Sequence, residues 1–191
     1  MVQQKPKQNV LQTFSEISNI SVPVNEPWQV ALTDPAIAAM TDFRVSALFK
    51  VSPEDTIDEA LHKMKVAGLR FGFVIDSKSE NIEGSITSYD IMGEKPMRYL
   101  QSVGFAEGGI THKDILVKDI MEKVSDWVIV EMKNVEITTV QAVLDVFHKT
   151  GRTHIPVLDT KEGSKHRLCG IFSSSKVLRL TEFARSKASK V

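Results

Sequence analysis

A hydroxyl and a carboxylate three residues apart, Thr87 and Asp90, are the pair in this sequence best suited to holding a small polar ligand. An ionised carboxylate is an acceptor with room for two hydroxyl donors at once. The same Thr-x-x-Asp spacing approximates a capping box at a helix start, and the two roles are compatible. Cationic side chains suited to an anionic group stand just past two helical patterns, Arg70 in the first half and Arg152 with His154 in the second. Each has a plainer reading beside it: the arginines as solvated surface charges, His154 as a hydrogen-bonded strand residue.

Chemistry of turnover finds no comparable constellation. The histidines at 62, 112, 148, 154 and 166 show no His-x-x-x-His spacing and Cys169 is the single cysteine, so no metal site is expected. There is no Gly-x-Ser-x-Gly elbow, no Walker phosphate loop and no Gly-x-Gly-x-x-Gly fingerprint, and the glycines at 104, 108 and 109 lack the lysine a phosphate loop needs. Glu54 and Asp55 suit the first turn of a helix, where negative charge is stabilising. The chain therefore reads as a binding protein with no catalytic cofactor, not as an enzyme.

The elements that must position these residues come twice. Ile57, Ala60, Leu61 and Met64 recur at i, i+3, i+4 and i+7, one face of a helix beginning near Asp55. Val140, Val143, Leu144 and Phe147 repeat that spacing 83 positions on, counting from 57 to 140. Each pattern ends at a glycine, Gly68 and Gly151, as a left-handed residue past a helix C-terminus would require. A short apolar strand and an aspartate follow in both, Phe73 to Asp76 and Pro156 to Asp159. After polar loops come two segments opening with glycine, Gly84-Ser-Ile-Thr-Ser-Tyr-Asp-Ile91 and Gly170-Ile-Phe-Ser-Ser-Ser-Lys-Val177, each a strand turning into a helix at a hydroxyl residue. The expected unit is strand, helix, strand, strand, helix, and neither copy buries its apolar faces alone. Gly93 and Pro96 predict a break after the second helix of the first unit, with a new helical stretch from about Pro96 to Val103.

A tandem of this unit, each copy ending in Gly-apolar-x-Ser/Thr-x-x-Asp-apolar, resembles the cystathionine β-synthase (CBS) domain pair, or Bateman module. Val117 to Met121 looks like the lead-in that opens such a repeat, and Val51 to Thr56 like its strand-to-helix junction. The resemblance implies an α/β (α+β) fold of two βαββα repeats related by a pseudo-twofold axis. The boundaries read as an extension over 1–43 with a short helix near Pro35, repeats over 44–104 and 114–187, a linker over 105–113 and a tail over 188–191. It further implies an adenine nucleotide (AMP, ADP or ATP) between the repeats, a homodimer forming a four-repeat disc, and a regulated partner protein that the sequence does not name. By the same resemblance, which extends to the site motifs of the gamma subunit of AMP-activated protein kinase, Asp90 would hold the ribose and Thr87 would lie beside ribose or phosphate. Arg70, Arg152 and His154 would face phosphate, and Val51, Ser52, Ser85 and Ile86 would form the adenine slot or stay ordinary core positions.

The second motif departs from this pattern at Lys176, which stands where the aspartate belongs. Either Lys176 is simply exposed or, with Ser175, it reaches the phosphate of a ligand held at Asp90, so one occupied cleft per chain is expected. Two other readings stay open: a ligand-free dimerisation scaffold, and the same cleft binding S-adenosylmethionine or a dinucleotide.

The totals limit the partners. Lys+Arg and Asp+Glu both number 24 in 191 residues, so no net field draws the chain to nucleic acid or to anionic membrane. No apolar run approaches the roughly 18 residues of a membrane span, and nothing after the polar N-terminus has signal-peptide form, so a soluble cytoplasmic protein is expected.

Overall fold

The computed structural model describes residues 29–104, 109–160 and 166–188, the side chains of the last helix through 182. The polar arm over the first 20 residues lies outside the described residues, as do residues 105–108 of the 105–113 linker. Among the described residues the strands are β1 (Thr41–Asp42), β2 (Lys50–Val51), β3 (Phe71–Ile75), β4 (Ile82–Thr87), β5 (Glu122–Lys123), β6 (Val130–Glu131), β7 (His154–Asp159) and β8 (Arg167–Ser173). The helices are α1 (Ile57–Ala67), α2 (Ser88–Met92), α3 (Lys95–Val103), α4 (Val117–Ile120), α5 (Met132–Val135), α6 (Val140–Thr150) and α7 (Ser174–Ala188), with a short 3₁₀ turn at Ala36–Ala39.

The periodic faces become the cores. Ile57, Ala60 and Met64 of α1 are fully buried with Val74, Ile86, Ile91 and Leu100, while Val140, Val143, Leu144 and Phe147 of α6 pack with Ile155, Val157, Phe172 and Leu180. α1 opens on a complete capping box, Thr56 with Glu59, and α1 and α6 end on left-handed glycines, Gly68 at φ 67° and Gly151 at φ 65°. α2 stops at Gly93 and α3 restarts with Pro96 in its first turn, where a missing N–H costs nothing.

The two sheets run β2-β3-β4-β5 and β1-β8-β7-β6, so each takes its last antiparallel strand from the other half of the chain. Thr41 and Asp42 pair with Ile171 and Gly170, and Lys123 and Glu122 pair with Gly84 and Ser85. The lead segments follow their strands. Val30, Ala36, Ala39 and Met40 sit in the second core, and Ile115, Val117 and Ile120 sit in the first. The extension drawn over 1–43 thus contributes residues 30–42 to the packing of the second unit, while the lead-in at 117–121 packs with the first.

This exchange explains the motif glycines. A β-carbon on Gly84 would lie 2.2 Å from the Glu122 carbonyl oxygen, and one on Gly170 would lie 2.6 Å from Met40 Sδ and 2.9 Å from the Thr41 oxygen. The visiting strand passes too close for any side chain.

Candidate functional site

Strand alternation decides which motif residues can meet a ligand. On β4, Ser85 and Thr87 point to one face while Ile86 points to the other and is fully buried in the first core. On β7, His154 and Pro156 share a face and Ile155 and Val157 fill the second core. The free faces of the two sheets meet across an aromatic layer. Phe73 lies edge-on to Phe71 (4.8 Å between centroids), Phe43 (5.6 Å) and Trp127 (5.8 Å), and Phe71 stacks on His154 at 4.3 Å. Phe71 and His154 occupy equivalent places in the repeat, 83 positions apart, so their stack joins the two halves.

Beside this layer opens a cleft of about 260 Å³. Its polar lining comes from Ser85, Thr87, Asp90, Glu122, Arg152 and His154, and its aromatic lining includes Phe71, Tyr89 and Trp127.

Asp90 stands at the start of α2. Its Oδ2 accepts the Thr87 N–H (2.8 Å) and the Thr87 hydroxyl (2.7 Å), and the Asp90 N–H donates back to Thr87 Oγ1 at 3.1 Å. The capping box is therefore real. Oδ1 faces Lys95 Nζ at 2.9 Å, with side-chain exposures of 21% and 43%. Capping thus fills one carboxylate oxygen and leaves the other to a partly exposed ammonium. Ser85 is buried and accepts the Trp127 indole N–H at 3.2 Å, which fixes that ring at the cleft wall.

Arg152 follows the left-handed Gly151. One terminal nitrogen donates to the Asp126 carbonyl at 2.9 Å and the other pairs with Glu122, a residue of the opposite sheet. His154 enters as a neutral ring. Burial pushes its pKa down to about 4, against a smaller opposing pull from Asp90. It can stack and hydrogen-bond, but near neutral pH it brings no charge to a phosphate.

Five of the residues singled out in the sequence, Ser85, Thr87, Asp90, Arg152 and His154, meet in this cleft. The others do not line it. Val51 and Ile86 belong to the first core. Ser52 caps locally, its hydroxyl accepting the Glu54 N–H at 3.2 Å. Arg70 is exposed and donates to the Tyr89 hydroxyl at 2.9 Å, which places it at the rim. Ser175 shares a 2.9 Å hydrogen bond with Ser173. Lys176 donates to the Met40 carbonyl and to Thr41 Oγ1 at 3.2 and 3.1 Å, tying the start of α7 to the visiting strand. Glu122 and Trp127, which the sequence motifs do not flag, complete the cleft from the exchanged segment.

Among the described residues no helix is long and apolar enough to cross a membrane, and no group of three or more His, Cys, Asp or Glu side chains is placed to hold a metal.

The CBS domain model matches residues 38–96 and again 117–182, more than half of the chain. Comparison with curated proteins yields no match. Solved structures share the fold. A conserved protein from Pyrococcus horikoshii is 24% identical with a TM-score of 0.54, covering 82% of this chain and 96% of that one. A putative signal-transduction protein with CBS domains from Burkholderia ambifaria is 19% identical, TM-score 0.51, covering 70% and 81%. A hexameric CBS-CP12 protein from bloom-forming cyanobacteria is 24% identical, TM-score 0.53, covering 80% and 75%.

Proposed function

The chain belongs to the CBS domain family as a tandem pair, and from that premise we propose that it is a regulatory module binding an adenine nucleotide (AMP, ADP or ATP) reversibly in the Asp90 cleft, without turnover. The observation that carries this reading is the convergence of Asp90, Thr87 and Arg152 on one aromatic-lined cavity. A nucleotide needs a hydroxyl acceptor, a flat apolar slot and a cation or backbone donors for phosphate. Asp90 Oδ1 supplies the first. Phe71, Tyr89, Trp127 and the neutral His154 ring supply the second, while Val51 and Ile86 take the core positions that were the other reading of them. Arg152 supplies the third.

Binding would also carry a signal. The Glu122–Arg152 pair spans the two sheets, so a phosphate that takes Arg152 from Glu122 loosens one of the links between them. Only a ligand that binds the two arrangements unequally can shift their balance, and a phosphate competing for this pair meets that condition. The rest of the proposal is a homodimer in the cytoplasm whose partner protein reads the change.

A ligand-free scaffold is the second reading. Its support is that Asp90 and Arg152 already have internal partners, Lys95 and Glu122. S-adenosylmethionine gains from Glu122, a carboxylate for its amino group.

Trp127 gives the test. In a Trp28→Phe background, titration with AMP should change Trp127 fluorescence saturably, and Asp90→Asn should shift the midpoint upward by about tenfold, one hydrogen-bonded charge contact's worth. No response to any adenosine ligand would favour the scaffold.

A further inference from the structure

Glu122 is the second carboxylate of the cleft. It reaches the cavity because β5 pairs with β4 so that Glu122 stands opposite Ser85, itself on the cleft-facing side of its strand. Its carboxylate pairs with Arg152, whose other terminal nitrogen is held by the Asp126 carbonyl. The guanidinium charge is thus balanced before any ligand arrives. The cleft's two carboxylates are each already matched by one cation, Asp90 by Lys95 and Glu122 by Arg152, and the His154 ring is neutral.

Strand exchange does not itself demand an acid at this place. Thr41 is the equivalent residue of the other sheet, standing opposite Ile171 as Glu122 stands opposite Ser85. A ligand with two or three phosphates would bring several negative charges beside Glu122 and Asp90, an unfavourable like-charge juxtaposition. Adenosine would bring none, and a monophosphate would bring one group for which Glu122 and ligand compete.

We propose that Glu122 is a specificity-determining residue that reserves the cleft for adenosine ligands carrying at most one phosphate, by competing with phosphate for Arg152. This rests on the cleft being the adenosine site, as inferred above.

The test is calorimetry of adenosine, AMP, ADP and ATP against the wild-type chain, Glu122→Gln and Glu122→Thr, the last placing the other sheet's residue at this position. Wild type should bind adenosine and AMP more tightly than ATP. In both variants ADP and ATP should gain roughly tenfold or more while adenosine changes by less than about threefold, as expected when one opposing charge is removed. Should Glu122→Gln not fold, Glu122→Thr carries the comparison. Parallel changes for all four ligands, or wild-type affinity for ATP equal to that for AMP, would overturn the assignment of Glu122 and leave the cleft reading intact. No binding of any of the four to any of the three proteins would overturn the cleft reading, and this inference with it.

Discussion

Replacing His154 by phenylalanine keeps a ring against Phe71 and removes a group that resists protonation. Burial holds the imidazole at about 4 in the folded chain, against 6.5 for an unhindered histidine. Above about pH 6.5 both folded and unfolded forms carry it neutral, so its contribution is fully present. As pH falls from there towards 4 the unfolded chain takes up a proton that the folded chain refuses, and stability is lost. Integrating that difference gives a loss of about 2 kcal/mol between pH 7 and pH 5, within a total of about 3 kcal/mol once both forms are charged. The other four histidines are exposed, so His154 should dominate the histidine contribution to this slope. The assay is urea unfolding of wild type and His154→Phe at pH 7, 6 and 5. Wild type should lose about 2 kcal/mol more than the variant over this range. Parallel pH profiles for the two proteins would refute the argument that desolvation keeps the half-buried His154 neutral.

Three further substitutions test the frame. Gly84→Ala drives a β-carbon into the Glu122 carbonyl oxygen at 2.2 Å, so β5 must leave β4. Thermal unfolding should show a loss of about 3 kcal/mol, in the range of other backbone-forced strains, and Gly170→Ala should cost somewhat less because one of its two obstacles is the flexible Met40 side chain. A melting temperature unchanged by Gly84→Ala would contradict the strand exchange. Thr56→Ala removes the α1 capping box and should cost about 1 kcal/mol in denaturant unfolding, with no effect on ligand affinity.

The fold was legible because its signals are local. The i, i+3, i+4 faces of α1 and α6, the terminal glycines Gly68 and Gly151, and the hydroxyl at Thr87 act within a few residues of themselves, so one sequence suffices to read them. The cleft was legible only in part, for two physical reasons. Strand alternation separates neighbours: Ile86 lies between Ser85 and Thr87 in sequence yet faces the core, and Val51 does the same. An alternation count along β4 would have sorted them. Strand exchange then imports residues from far along the chain, Glu122 opposite Ser85 and Trp127 hydrogen-bonded to it, and nothing in the local pattern around 122–127 announces that contact. Arg70 and Arg152 looked alike because each follows a helix-ending glycine. They stand two residues and one residue past it, however, so Arg70 is the repeat equivalent of Thr153 and not of Arg152, and its guanidinium turns to the Tyr89 hydroxyl at the rim. Lys176 reads as a lost aspartate, and its hydrogen bonds to Met40 and Thr41 give it a task in anchoring the visiting strand.

The central claim is a single asymmetric adenosine site per chain at Asp90, and calorimetric titration with AMP tests it most directly. The expected result is one AMP bound per chain in the wild type, binding weakened at least about tenfold by Asp90→Ala, and the same stoichiometry and affinity in Lys176→Ala. Undiminished affinity in Asp90→Ala, or two AMP molecules bound per wild-type chain, would contradict it.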